Sequence, residues 1–207
     1  MRSLGEYTKA KEHYEKALAI TKKFGNKDVE AASHESLGIA FQSLGEHVNA
    51  KECLEKALAI KKEIGDREGE RRYYGNLGNV FASLGEYAKA KEFLEKDLTL
   101  RIEVGDMKGE ASCYVNLGTV LQYLGEYVKA KEYYNKALTI RTKIGQRVQG
   151  ADYANLGNVY HSLGEYDKAR EHLEKSLVIT KEIGDRKGEA TSYRNLGTDR
   201  YREPSIE

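Results

Sequence analysis

The chain repeats itself, and this constrains its fold more than any other property. Leu-Gly-Glu-Tyr begins at Leu4, Leu84, Leu124 and Leu163, and Leu-Gly-Glu-His at Leu44, so successive copies stand 40, 40, 40 and 39 residues apart. A second marker, Asn-Leu-Gly, begins at Asn76, Asn116, Asn155 and Asn195, with Ser36-Leu37-Gly38 as its first form. Self-similarity at a fixed period of this size marks an array of one supersecondary unit whose copies stack to bury a shared core. Repetition multiplies a surface; it does not build one unique constellation of groups. The functional question is therefore one of binding.

Each period reads as two helices. In the repeat from Arg67 to Val104, the first helix ends near Ser83, and Tyr74, Leu77, Gly78 and Phe81 share one stripe at 3.6 residues per turn. A glycine inside that stripe costs roughly 1 kcal/mol of helix propensity. Its recurrence as Gly38, Gly118, Gly157 and Gly197 predicts a close approach of the partner helix. Leu84-Gly85 ends the first helix, the second runs from about Tyr87 to Val104, and Gly105-Asp106 supplies its end and the next N-cap. In the preceding repeat the second helix carries Ala50, Cys53, Leu54, Ala57, Leu58, Ile60 and Ile64 over roughly 160° of arc. That width predicts contacts on two sides for the second helices. Gly145 to Asn155 is one residue shorter than Gly105 to Asn116, and Gln146 replaces the expected Asp, which predicts a changed stacking angle or a shortened helix start there.

Charge and cysteine content narrow the function. Charged residues make up 32% of the chain, yet the net charge is +1, and signs alternate along helix faces, as in Lys51-Glu52 and Glu55-Lys56. A basic nucleic-acid footprint is therefore not expected. No apolar stretch approaches the ~20 residues that span a bilayer, and the first residues show no signal-peptide pattern. Cys53 and Cys113 lack metal-ligand spacing and read as reduced packing residues, which places the chain in the cytoplasm. The five histidines do not form H-E-x-x-H, the glycines form no phosphate loop, and carboxylates fall on solvated faces. No enzyme, metal or cofactor is expected.

The offsets resemble those of the tetratricopeptide repeat. One repeat carries Tyr74, Leu77-Gly78, Phe81, Ala90 and Leu94; the next carries Tyr114, Leu117-Gly118, Leu121, Ala130, Tyr134 and Ala137. The chain departs from the family pattern in lacking the hairpin-end proline and in a period longer than the usual ~34 residues. This long form, with Ile-Gly-Asp and Asn-Leu-Gly punctuation, looks like repeats of the Pins/LGN class of cell-polarity adaptors. The resemblance implies an all-α, right-handed superhelical solenoid of antiparallel helix pairs, about ten helices in one array. The expected segments are a half-repeat at 4–24, full repeats at 28–64, 68–104, 108–144 and 147–183, and a terminal half-repeat at 187–201.

On each first helix, the face opposite the Tyr74–Leu77–Phe81 stripe carries polar offsets. Tetratricopeptide arrays, by resemblance, line a concave groove with them. The candidates are Gln42, Arg72, Asn76, Asn79, Asn116, Thr119, Gln122, Tyr123, Asn155, Asn158, His161, Arg194 and Asn195. An amide both donates and accepts, so an asparagine ladder can pair with the backbone of an extended peptide while its neighbours supply specificity. The same asparagines can equally hydrogen-bond between helices. The expected function is a non-catalytic adaptor holding an extended or partly helical peptide of another protein. The alternative is a structural or self-assembling module with no fixed ligand. Leading and trailing half-repeats allow head-to-tail contact, and the leading stripe of Tyr7, Ala10, Tyr14, Ala17 and Leu18 favours it. Asp199 and Arg200 oppose it, and Pro204 prevents further helix. The expectation is mainly a monomer, with weak end-to-end contacts at crystal concentrations.

Overall fold

A computed structural model describes residues 4–200. The side chains of Tyr7, Asp199 and Arg200, and all of Pro204, lie outside the described residues, so the proposed polar cap is not placed. The described residues form ten helices and no strand: α1 Leu4–Phe24, α2 Lys27–Ser43, α3 His47–Glu63, α4 Arg67–Ser83, α5 Tyr87–Glu103, α6 Met107–Tyr123, α7 Tyr127–Lys143, α8 Gly150–Ser162, α9 Tyr166–Glu182 and α10 Arg186–Arg200. The chain forms two compact units, residues 1–100 and 101–207, with the boundary inside α5.

Local chemistry sets the helix ends. Asp66 Oδ1 accepts from the Gly69 N–H at 2.9 Å, and Asp106 and Asp185 cap α6 and α10 in the same way. At the end of α4, Gly85 adopts φ 76°, a conformation that L side chains disfavour. The chain then closes the turn with Glu86 N–H donating to the Phe81 carbonyl at 2.9 Å.

The interior glycines serve helix contact, as their recurrence predicts. A Cβ on Gly78 would stand 2.6 Å from Leu94 Cγ, and one on Gly157 equally close to Leu173 Cγ. Gly118 lies under the Tyr134 ring. A Cβ on Gly197 would meet nothing within 4 Å among the described residues.

The expected two-sided contact of the second helices is found: α3 packs on α2 and α4, α7 on α6 and α8, and α9 on α8 and α10, although the apolar face varies in width. α3 does bury Ala50, Cys53, Leu54, Ala57, Leu58 and Ile60, but Ile64 is exposed. α5 buries only Ala90, Leu94 and Asp97, whereas the first helix α4 buries Gly69, Tyr73, Gly75, Leu77, Gly78, Val80 and Phe81. The reason is position. In the second unit the first helix α8 packs between α7 and α9 and also meets α6 and α10, so it is flanked on more sides than α9, which meets α8 and α10. Second helices keep an outer Lys/Glu face in water, with i,i+4 pairs such as Glu92–Lys96 at 2.6 Å.

The one-residue slip shortens a helix start. α8 has 13 residues, against 17 in α2, α4 and α6. At the preceding turn Arg101 pairs with the cap Asp106 at 2.8 Å. Gln146 stands where such a cap would be, and Arg141 instead pairs with Asp152 inside α8; both are buried. Asp152 also accepts from the Gln149 N–H at 2.9 Å and so anchors the late start.

Aromatic contacts join α4 to α5, α6 to α7 and α8 to α9. Phe81 and Phe93 stand 5.0 Å apart, and His172 stacks on Tyr160 at 5.1 Å. Burial, and next the Lys175 charge, push the His172 pKa below its usual 6.5, with Glu171 acting the other way. A depressed folded pKa means the unfolded chain binds the proton more readily. The contribution to stability is therefore complete above about pH 6.5 and fades as pH falls through the lower folded value. The melting temperature of the wild type should drop more between pH 7 and 5 than that of His172→Phe; equal drops would exclude this role.

Stability in an array is a sum over units and interfaces. Leu77 and Leu117 are fully buried, whereas Leu18 and Leu196 are only partly so. Hydrogen exchange should be slow near the first pair and fast near the second; uniform protection would contradict it.

Candidate functional site

In the first unit the polar offsets lie on α2 and α4. Gln42 and Asn76 are half-buried, and Arg72 and Asn79 are exposed. Arg72 is held rather than presented: its Nη2 lies 3.0 Å from Glu35 Oε2 and its guanidinium 5.7 Å from the Tyr73 ring centroid. Tyr73 is fully buried and donates its hydroxyl to the same Glu35 oxygen at 3.2 Å. Burial, and next the Glu35 charge, raise the Tyr73 pKa, so it remains a donor. Glu35 and Tyr73 were not among the sequence candidates. The available signal was their size, since the same offsets hold Val115 and Cys113 one repeat on from Gly75 and Tyr73.

In the second unit the offsets lie on α6, α8 and α10, and several face inward. Tyr134, nearly fully buried beneath Gly118, donates to Gln122 Oε1 at 2.7 Å and lies 3.0 Å from Thr119 Oγ1. Burial pushes its pKa up to about 12, while the Thr119 hydrogen bond acts in the opposite direction. Thr119 and Gln122 thus satisfy a core hydroxyl that would be costly to bury unpaired. Asn195 Nδ2 donates to Asn158 Oδ1 at 2.8 Å, joining α10 to α8, and Arg194 Nε reaches Asn195 Oδ1 at 3.5 Å. His161 packs edge-on against Tyr166 at 5.4 Å. Asn116 and Asn155 are half-buried, and Tyr123 is 65% exposed.

The inter-helix role of asparagine therefore applies at Asn158 and Asn195. Asn155 and Asn158 also line a cavity of about 280 Å³ together with Lys187 and Thr191. It lies within the second unit.

Among the described residues no group of three or more His, Cys, Asp or Glu side chains is placed to hold a metal ion, and no helix is long and apolar enough to cross a membrane. Cys53 and Cys113 are both buried thiols outside any disulfide, and burial raises the Cys53 pKa, which disfavours the reactive thiolate.

The tetratricopeptide-repeat family model matches residues 1–63, 29–103, 70–143 and 148–203. Among solved structures, a kinesin-light-chain protein of Podosopora anserina with nearly identical TPR-like repeats is 22% identical, with 86% of this chain and 89% of that one covered and a TM-score of 0.73. BtubC from P. vanneervenii is 19% identical over 97% and 95% of the two chains, TM-score 0.69. The apo form of RapI is 20% identical over 87% and 66%, TM-score 0.80. At these identities the likeness is one of fold. No curated protein matches the sequence.

Proposed function

This chain belongs to the tetratricopeptide-repeat family, and we propose that it is a non-catalytic adaptor whose first-helix polar face holds an extended or partly helical segment of another protein. Repeats of this family are generally protein-interaction modules, and the finer reading rests on one observation. Amide side chains recur on that face at the repeat spacing, with Asn76, Asn116 and Asn155 at one offset and none of them deeply buried. A row of groups that both donate and accept suits a peptide backbone. The long repeat format supports the narrower likeness to Pins/LGN adaptors, and two cysteines outside any disulfide fit a cytoplasmic setting. Near-zero net charge argues against nucleic acid as the partner.

Alanine at Asn76, Asn116 and Asn155 together should abolish partner capture from cell extract while leaving the helical circular dichroism unchanged. Retained capture would move the site off this face. The oligomeric reading is a monomer in dilute solution with weak end-to-end contacts at high concentration. Light scattering over a concentration series checks it, and a stable ring or filament at micromolar protein would refute it.

A further inference from the structure

α1 and α10 carry the two matching parts of one particular helix joint. In the α6–α7 hairpin the Tyr134 ring lies over Gly118, where a Cβ would stand 2.7 Å from it, and its hydroxyl lies 3.0 Å from Thr119 Oγ1. The hairpins α2–α3, α4–α5 and α8–α9 use leucine instead: Leu54 over Gly38-Ile39, Leu94 over Gly78-Asn79 and Leu173 over Gly157-Asn158. Gly-Thr recurs at this offset only as Gly197-Thr198 on α10, and tyrosine recurs at the Tyr134 offset only as Tyr14 on α1. The match extends along both helices. Ala10, Ala17 and Leu18 stand at the offsets of Ala130, Ala137 and Leu138, and Tyr193 and Leu196 at those of Tyr114 and Leu117. By register, α1 is a second α7 and α10 a second α6.

Both parts stand open among the described residues. The Gly197 position borders a cleft of about 320 Å³ lined by Arg170, Glu174, Tyr193, Leu196 and Gly197, and an added Cβ there would meet nothing within 4 Å. Tyr193 is 50% exposed, whereas its counterpart Tyr114 is buried and meets the Tyr133 ring edge-on at 5.4 Å. His13 of α1 stands at the Tyr133 offset. Tyr14 is half-buried, whereas Tyr134 is nearly fully buried. We infer that α1 of a second copy of this chain docks on α10, with Tyr14 over Gly197 as Tyr134 lies over Gly118, and Thr198 at the register of Thr119. The register selects the occupant, because the same chain carries the tyrosine that this slot matches. Such a contact is heterologous and adds copies at both ends. Asp199 and Arg200 limit its strength: they stand at the offsets of Val120 and Leu121, both buried, where a charge is costly. The joint therefore forms at high protein concentration. This inference rests on the end-to-end contact proposed above and assigns its residues.

Light scattering of the full chain over a concentration series, with melting temperatures alongside, tests the joint. Gly197→Ala puts a methyl group in the slot and should weaken association about tenfold or more. Its melting temperature should be unchanged or higher, because alanine is the better helix former. Tyr14→Ala should weaken association as much from the other side. Tyr14→Phe covers the case in which that variant loses α1, and should weaken it about three- to tenfold for want of one hydrogen bond. Neither alanine variant should associate alone, yet their mixture should form a heterodimer and stop there, since each keeps one intact end. Asp199→Val with Arg200→Leu restores the α6 residues and should tighten association about tenfold or more. Wild-type association that survives Gly197→Ala and Tyr14→Phe strikes this joint and leaves an end-to-end contact elsewhere; no association of the wild type at millimolar protein strikes both readings. A mixture that stays monomeric overturns the inference, as does no tightening in the restored variant. So does a lower melting temperature for Gly197→Ala, the result expected if the chain's own residues after Arg200 fill the slot.

Discussion

Asp152→Ala should cost about 3–5 kcal/mol, the loss typical when one member of a buried ion pair is removed. Asp152 is 5% exposed and Arg141 9%, so water cannot readily replace the lost carboxylate around the guanidinium. The carboxylate also holds the Gln149 N–H at the late start of α8, and alanine removes that anchor as well. Urea unfolding read by hydrogen exchange along α7, α8 and α9 would locate the loss, because an array does not always unfold as one unit. Arg141→Met with Asp152→Leu should recover most of the stability, since a matched apolar pair avoids the desolvation of two charges. A cost below about 1 kcal/mol for Asp152→Ala would show that the pair is solvated as a surface bridge is.

Leu94→Ala should cost about 2–5 kcal/mol. Leu94 is 1% exposed and its Cγ lies where a Cβ on Gly78 would stand, 2.6 Å away. The two residues are complementary, so a double-mutant cycle separates packing from helix propensity. Gly78→Ala alone should destabilise despite the better propensity of alanine, because Leu94 must move. With Leu94→Ala present, the same substitution should become neutral or stabilising, as the methyl group enters the vacated space. Additive effects in chemical unfolding would mean that Gly78 has no packing role.

The repeat period, the helix ends and the interior glycines were legible because each depends on a few neighbouring residues. Gly85 ends α4 for backbone reasons, Asp66 caps it through a hydrogen bond three residues away, and Gly78 advertised a close neighbour without naming it. Even the shortened start of α8 could be read from one missing residue, though not that Arg141 would find Asp152. Only tertiary structure decided which polar residues turn inward. Thr119 and Gln122 share a helix face with Asn116, yet they serve Tyr134, and Asn158 is engaged by Asn195 from another helix. The greater burial of α4 than of α5 was likewise invisible, because one helix's apolar stripe records its own composition and not how many neighbours flank it. The cavity beside Asn155 is lined from α8, α9 and α10, at positions separated by tens of residues. A spacing rule reports one helix at a time; a void, a shared hydrogen bond or a buried ion pair belongs to the space between helices, which packing alone defines.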